Sequence, residues 1–176
     1  MKILKIFGIV VIVLIALFLI IPLFVPNEYK VEKSIEINKE RSEVHNFMKY
    51  FSNFDKWSPW SEMDPDMKVE ISGDDGTVGA QYYWKGNDDV GEGKMTITSI
   101  RDSEIKIDLQ FMEPFEAESP TVYKLKDSEN GTEVSWYMEG EMSYPWNIFM
   151  LMMDMEEAIG KDFDNGLTKL KSAIEN

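Results

Sequence analysis

Seven short segments carry apolar residues at every second position, and one long helical stripe follows them. Residues 29–37, YKVEKSIEI, set the pattern, with Val31, Ile35 and Ile37 on one side and Glu32, Ser34 and Glu36 on the other. A period of two means a strand with one dry and one wet face. The same alternation returns in 67–72, 79–85, 94–100, 104–112, 119–127 and 132–142. Its inward set is Met67, Val69, Ile71, Tyr82, Trp84, Met95, Ile97, Ile105, Ile107, Leu109, Phe111, Tyr123, Leu125, Val134, Trp136 and Met138. Glu104, Lys106, Asp108, Gln110, Lys124, Lys126, Glu133 and Ser135 fall on the other face. Asp74-Asp75-Gly76 and Asn130-Gly131 supply turns between strands. A short helix, capped by Asn38 and running from residue 39 to about 51, is expected after the first strand, with Val44, Phe47, Met48 and Phe51 on its apolar side.

A sheet with one dry face needs a cover. Ile148, Met152, Met155, Ile159, Phe163, Leu167, Leu170 and Ile174 recur at steps of three and four, so one long helix opened by Pro145 provides it. Gly160 and Gly166 beside the stripe permit close approach or a bend. The order is strand, helix, six strands, helix. It predicts an α+β domain in which a seven-stranded antiparallel curved sheet packs on a long C-terminal helix.

Ahead of this domain lies IFGIVVIVLIALFLIIPLFV, residues 6–25, without a charge. Twenty such residues match a hydrocarbon core of about 30 Å. The run ends in Pro-Leu-Phe-Val-Pro and lacks the small-residue site of a cleaved signal peptide, which favours an uncleaved signal anchor over cleavage. Residues 1–28 form the N-terminal transmembrane helix and short linker, and 29–176 the folded domain. Lys2 and Lys5 place the N-terminus inside and the domain on the outer, periplasmic or extracellular side of the cytoplasmic membrane. These two are the only charges before Glu28, so a chain of net charge −14 leaves −16 beyond them. That excludes nucleic acid as a partner. No cysteine is present, which excludes disulfides and thiol chemistry.

Catalytic and metal chemistry find little support. The only polar groups on the inward face are the hydroxyls of Tyr82 and Tyr123 and the indole N–H groups of Trp84 and Trp136. The sole histidine, His45, falls opposite Val44 and Phe47 on the short helix and is expected in solvent. No nucleophile has a base partner, so no catalytic residue is assigned. The loops DPDM, GDDG and GNDDVGEG lack calcium-loop spacing, and no metal or cofactor is expected. In the loop FDKWSPWSEMDPDM, residues 54–67, Trp57 is expected as a plug on the core and Trp60 at an entrance.

VEKSIEINKERSEVHNFM, FDKWSPW, GTEVSWYMEGEM and IGKDFDNGLTKLKSAIE together resemble the START-related helix-grip superfamily (SRPBCC, polyketide cyclase/dehydrase-like proteins), and among them its membrane-anchored bacterial members. The resemblance spans residues 29–176. It implies a curved sheet gripping the C-terminal helix, the β-α-β6-α helix-grip order, with a cavity between them for hydrophobic ligands. The expected ligand-binding residues are Trp60, Tyr82, Trp84, Met95, Leu109, Phe111, Tyr123, Trp136, Met138, Met152, Met155 and Phe163. The expected partners are a hydrophobic small molecule or lipid, and the membrane through residues 6–25. Three functions stay open: a non-catalytic binding or carrier domain, a cyclase- or dehydrase-type enzyme, and an interaction domain with a filled core. The first is favoured over the second by the inward Tyr, Trp and Met.

Overall fold

The computed structural model describes residues 2–114 and 116–176. Helix α1 (Lys2–Ile20) passes through a 3-10 turn (Ile21–Phe24) into strand β1 (Glu28–Ile37). Helix α2 (Arg41–Met48) and two 3-10 turns (Phe51–Lys56 and Trp60–Glu62) follow. Then come β2 (Lys68–Ser72), β3 (Gln81–Lys85), β4 (Glu92–Arg101), β5 (Glu104–Glu113), β6 (Ala117–Glu118), β7 (Thr121–Ser128) and β8 (Gly131–Glu141). A further 3-10 turn (Trp146–Leu151) precedes helix α3 (Met155–Glu175). The chain is thus an α+β protein with one large antiparallel sheet, a C-terminal helix and an apolar N-terminal helix.

The sheet runs β1-β8-β7-β5-β4-β3-β2, with β6 paired to β5. Val31 opposes Met138, Tyr123 opposes Trp136 and Met95 opposes Leu109, so the dry residues of neighbouring strands share a face. Two register shifts along β4 and β5, at Glu92/Gly93 and Ile97/Ser99, add the local bending that such irregularities produce. Helix α3 lies across the dry face and buries Phe163, Leu167, Leu170 and Ile174. At Gly166 a Cβ would stand 2.9 Å from the Trp136 ring and 3.2 Å from Pro59, so only glycine lets the helix come this close.

Several elements differ from the sequence expectation. The two-residue β6 is added. Helix α2 begins at Arg41 behind Glu40 rather than behind Asn38 and stops at Met48, and the Asn38 backbone N–H donates to Glu175 Oε1 at 2.7 Å instead. The C-terminal helix does not start at Pro145. Asp154 caps it by accepting from the Glu157 N–H at 3.1 Å, and residues 146–151 form a separate turn. Ile148 and Met152 therefore leave the covering stripe, and Met152 is 85 % exposed, while Met155 stands half-buried in the first turn of α3. Val69 and Ile71 keep the inward register opposite Trp84 and Tyr82, yet both stand exposed, because β2 is the edge strand beyond the span of α3. Lys33 also takes an inward position. Its stem runs past Gly160 and its ammonium reaches Glu156 at 3.8 Å, at the margin of the helix.

Candidate functional site

Between sheet and helix lies a cavity of about 240 Å3. Its sheet wall is made by Tyr82 and Trp84 of β3, Met95 of β4, Leu109 and Phe111 of β5, Thr121 and Tyr123 of β7, and Trp136 and Met138 of β8. Period-two alternation delivers this wall from sequence; Thr121, two residues before Tyr123, shares the inward parity although it is absent from the expected inward set. Ile159, Asp162 and Phe163 close it from α3. Phe54, Ser58, Trp60 and Met67 close one side, and Asp89 and Val90 stand at the 86–91 loop.

Ten of the twelve residues expected to meet a ligand line this cavity: Trp60, Tyr82, Trp84, Met95, Leu109, Phe111, Tyr123, Trp136, Met138 and Phe163. Met152 and Met155 do not; they border a shallow surface depression with Tyr29 and Lys30, Met152 because the helix breaks before Asp154, and Met155 because it stands at the very start of α3, one turn before Ile159. Val90 is missing from the expected set although it is the lone large apolar residue in an otherwise polar loop, a usable signal. Asp89 and Asp162 come from a loop and from a helix flank, where strand parity has no reach.

The cavity's aromatic frame is interlocked. Trp136 stacks on Phe163 with centroids 4.0 Å apart and planes at 10°, and meets Trp57, Trp60 and Tyr123 edge-on. Trp57 is only 1 % exposed and also packs edge-on against Phe54 and Tyr123, so this half of the Trp-Ser-Pro-Trp loop is a core plug. Trp60 stays half-buried at the cavity's side, and its backbone N–H donates to Ser58 Oγ at 3.3 Å.

Polar groups are few and specific. The Tyr82 hydroxyl donates to Asp55 Oδ1 at 2.5 Å, and Ser61 donates to the same oxygen at 3.2 Å. Burial, with the Asp55 hydrogen bond behind it, pushes the Tyr82 phenol far above its usual range. Burial alone does the same to Tyr123. The Trp84 indole donates to the Val90 carbonyl at 3.3 Å, which ties the 86–91 loop to the wall. The indole N–H groups of Trp136 and Trp57 are buried and have no partner among the described residues. A buried unpaired donor costs about 1–3 kcal/mol.

A wider concavity of about 1,260 Å3 lies at the other end of the sheet, among residues 38–46, Asp102, Asp127, Ser128, Asn130 and Gly131. It is broad, polar and open to water, with Lys39 and Arg41 set among Glu40, Glu43, Asp102 and Asp127. It has no apolar wall to exclude solvent, so the apolar cavity between sheet and helix is the better candidate. His45 borders this concavity. It is half-buried, not solvated as the helix periodicity suggests, because β4's end at Arg101 and Asp102 packs beside it. Among the described residues no group of three or more His, Asp or Glu side chains is placed to hold a metal ion.

A family model described as polyketide cyclase / dehydrase and lipid transport matches residues 28–175. No curated protein matches the chain. Among solved structures, a Staphylococcus aureus protein of unknown function is similar with a TM-score of 0.63 at 14 % identity, covering 84 % of this chain and 94 % of its own. A Chromobacterium violaceum protein has a TM-score of 0.59 at 13 % identity, covering 86 % and 99 %. The di-domain ARO/CYC protein StfQ of the steffimycin biosynthetic pathway has a TM-score of 0.60 at 8 % identity, covering 85 % of this chain and 51 % of its own. At these identities the likeness is one of fold.

Proposed function

We propose, for a chain that belongs to the polyketide cyclase / dehydrase and lipid transport family, that the cavity binds a small, uncharged or weakly polar lipophilic molecule without turning it over. The observation that carries this reading is the partly enclosed apolar space against Trp136, whose buried indole N–H lacks an acceptor among the described residues. A ligand carbonyl, ether or hydroxyl oxygen would supply one, and the rest of the ligand would meet Trp84, Met95, Leu109, Phe111, Met138 and Phe163. The ten cavity-lining residues named above are the proposed ligand contacts. A ligand losing ~300 Å2 of apolar surface would gain about 7 kcal/mol before entropic costs. The volume, just under the about 300 Å3 at which ordinary ligand pockets begin, suits a ring system or a short chain rather than a whole phospholipid. A buried anionic group would find no cation among the lining residues and would lose several kcal/mol on desolvation. An interaction domain with a filled core sits poorly with such a space. Helix α1, long and apolar enough to cross a membrane or to act as a signal sequence, is proposed as the anchor that holds the domain on the outer face.

An enzymatic reading of cyclase or dehydrase type has one observation behind it, the acid groups at the cavity's margin. These are Asp162 and the Tyr82–Asp55 pair. Tyr82, with its phenol pushed upward, is a poor proton donor near neutrality. Titration with fatty alcohols, isoprenoids and a fluorescent apolar probe separates the readings. Saturable quenching of tryptophan emission, weakened in Trp136→Leu, with the ligand recovered unchanged by mass spectrometry, is the expected result. Absence of saturable binding by any probe would overturn the binding reading, and a changed ligand mass would establish catalysis.

A further inference from the structure

Residues 143–153, SYPWNIFMLMM, run for eleven positions without a charge in a chain that is 28 % charged. They do not fold inward. Trp146 is 57 % exposed, Leu151 63 % and Met152 85 %, and Tyr144, Phe149 and Met153 are exposed beside them. Trp146 and Phe149 stack with parallel rings, 6.2 Å apart, so the surface is preformed. Contiguous exposed apolar area of this kind marks a contact site.

Its position says what it contacts. The segment is fastened to the end of the apolar N-terminal helix. Trp146 meets Phe18 edge-on at 5.9 Å, and the Tyr144 hydroxyl donates to the Leu19 carbonyl at 2.9 Å. Asn147 Nδ2 donates to the carbonyls of Pro22 and Val25, each at 2.9 Å. Leu23 and Phe24, next along the chain, are exposed as well. If α1 spans the membrane and its apolar run ends at Val25, then Phe18 lies on the order of 10 Å inside that limit. Trp146, at Phe18's level, then sits at the depth where interfacial segments bury their apolar side, about 5–10 Å. Tyr and Trp favour that zone.

We propose that residues 143–153 lie in the outer membrane interface beside α1, as a second lipid contact that presses the cavity end of the domain onto the bilayer. This rests on the anchor reading of α1. The same end of the sheet holds the start of β1, the end of β8 and the cavity walls at Met138, Leu109, Phe111 and Trp84. The ligand thus has a short route from lipid into the cavity. The surface is bordered by Glu141, Asp154, Glu156 and Glu157, all exposed, and by Lys30, whose charge is paired with Glu139 at 2.8 Å; the acids outnumber the bases, so it fits a zwitterionic leaflet and is repelled by an anionic one.

The absence of cysteine makes a clean test possible. Single-cysteine variants of the full chain, Val13→Cys, Leu151→Cys, Met152→Cys and Val78→Cys, are labelled with a fluorescent probe and placed in nanodiscs of phosphatidylcholine with brominated acyl chains. Val78, exposed in the β2–β3 turn at the opposite end of the sheet, reports water. The expected result is bromine quenching at 13, 151 and 152 several-fold above that at 78, with quenching at 151 and 152 reduced when phosphatidylglycerol replaces half of the lipid. Quenching at 13 but not at 151 and 152 would overturn the proposal and leave the anchor intact, the surface then serving a protein partner. No quenching at 13 would overturn the anchor reading and the proposal with it.

Discussion

The ring of His45 is half-buried, and its Nε2 atom is shut off from water without a hydrogen-bond partner. Desolvation is the largest influence and lowers its pKa from 6.5, with Lys49 and Arg41 pushing the same way. The Arg101 backbone and Asp102 oppose them. A depressed folded-state value means the unfolded chain takes up the proton first. The His45 contribution to stability is then whole above about pH 6.5 and is lost as pH falls from there through the folded value. Denaturant midpoints measured from pH 7.5 to 5 should fall more steeply in the wild type than in His45→Gln over the upper part of that acid limb. Parallel curves would mean that the ring protonates as freely folded as unfolded. Sequence periodicity assigns this residue to water because it sees only helix α2. The strand end at Arg101 that covers it is a tertiary fact.

Strand β4 needs glycine at position 93, where it crosses Trp84 on β3 and Phe111 on β5. A Cβ there would stand 2.4 Å from the Trp84 ring and 2.6 Å from the Gln110 carbonyl oxygen. Glycine lets Trp84 and Phe111 meet edge-on, 6.0 Å apart, over a bare backbone. Gly93→Ala should therefore destabilise the domain by about 1–3 kcal/mol and weaken apolar-probe binding by displacing the Trp84 wall. Val69→Ala on the open edge strand should cost less than about 0.5 kcal/mol. Equal costs in urea melts would show that the β3–β4 crossing is looser than this packing implies. The strands themselves were legible because parity repeats through seven segments, from Val31 to Met138, and each repeat restates which side is dry. The sheet wall of the cavity was legible for the same reason. What failed lay where local pattern is ambiguous or silent. Ile148 and Met152 belong to a helical step that Asp154 interrupts, and Val69 and Ile71 have inward parity with nothing above them. Asp162 and Asp89 arrive from a helix flank and a loop, which no strand rule places.

At the scale of the whole molecule, the joint between α1 and the domain bears on whether the N-terminal segment persists. Asn147 is 3 % exposed, and its amide donates to the Pro22 and Val25 carbonyls. The Met142 N–H donates to the Asn27 carbonyl at 2.7 Å, and Asn27 reaches Glu141 at 2.6 Å. Cutting the chain near Pro26 would strip a buried amide of both acceptors, a loss of about 1–3 kcal/mol, and would uncover the face of Trp146 that rests on Phe18. Retention of the segment keeps these contacts, and removal forfeits them. The two lysines at the start favour leaving the N-terminus inside and the domain outside. The expected outcome is a full-length protein that resists carbonate extraction from membranes and whose domain is digested by protease added to intact right-side-out cells or spheroplasts. A mature N-terminus sequenced near Pro26 would refute retention. Protection of the domain from external protease, with digestion only after lysis, would refute the orientation while leaving the anchor in place.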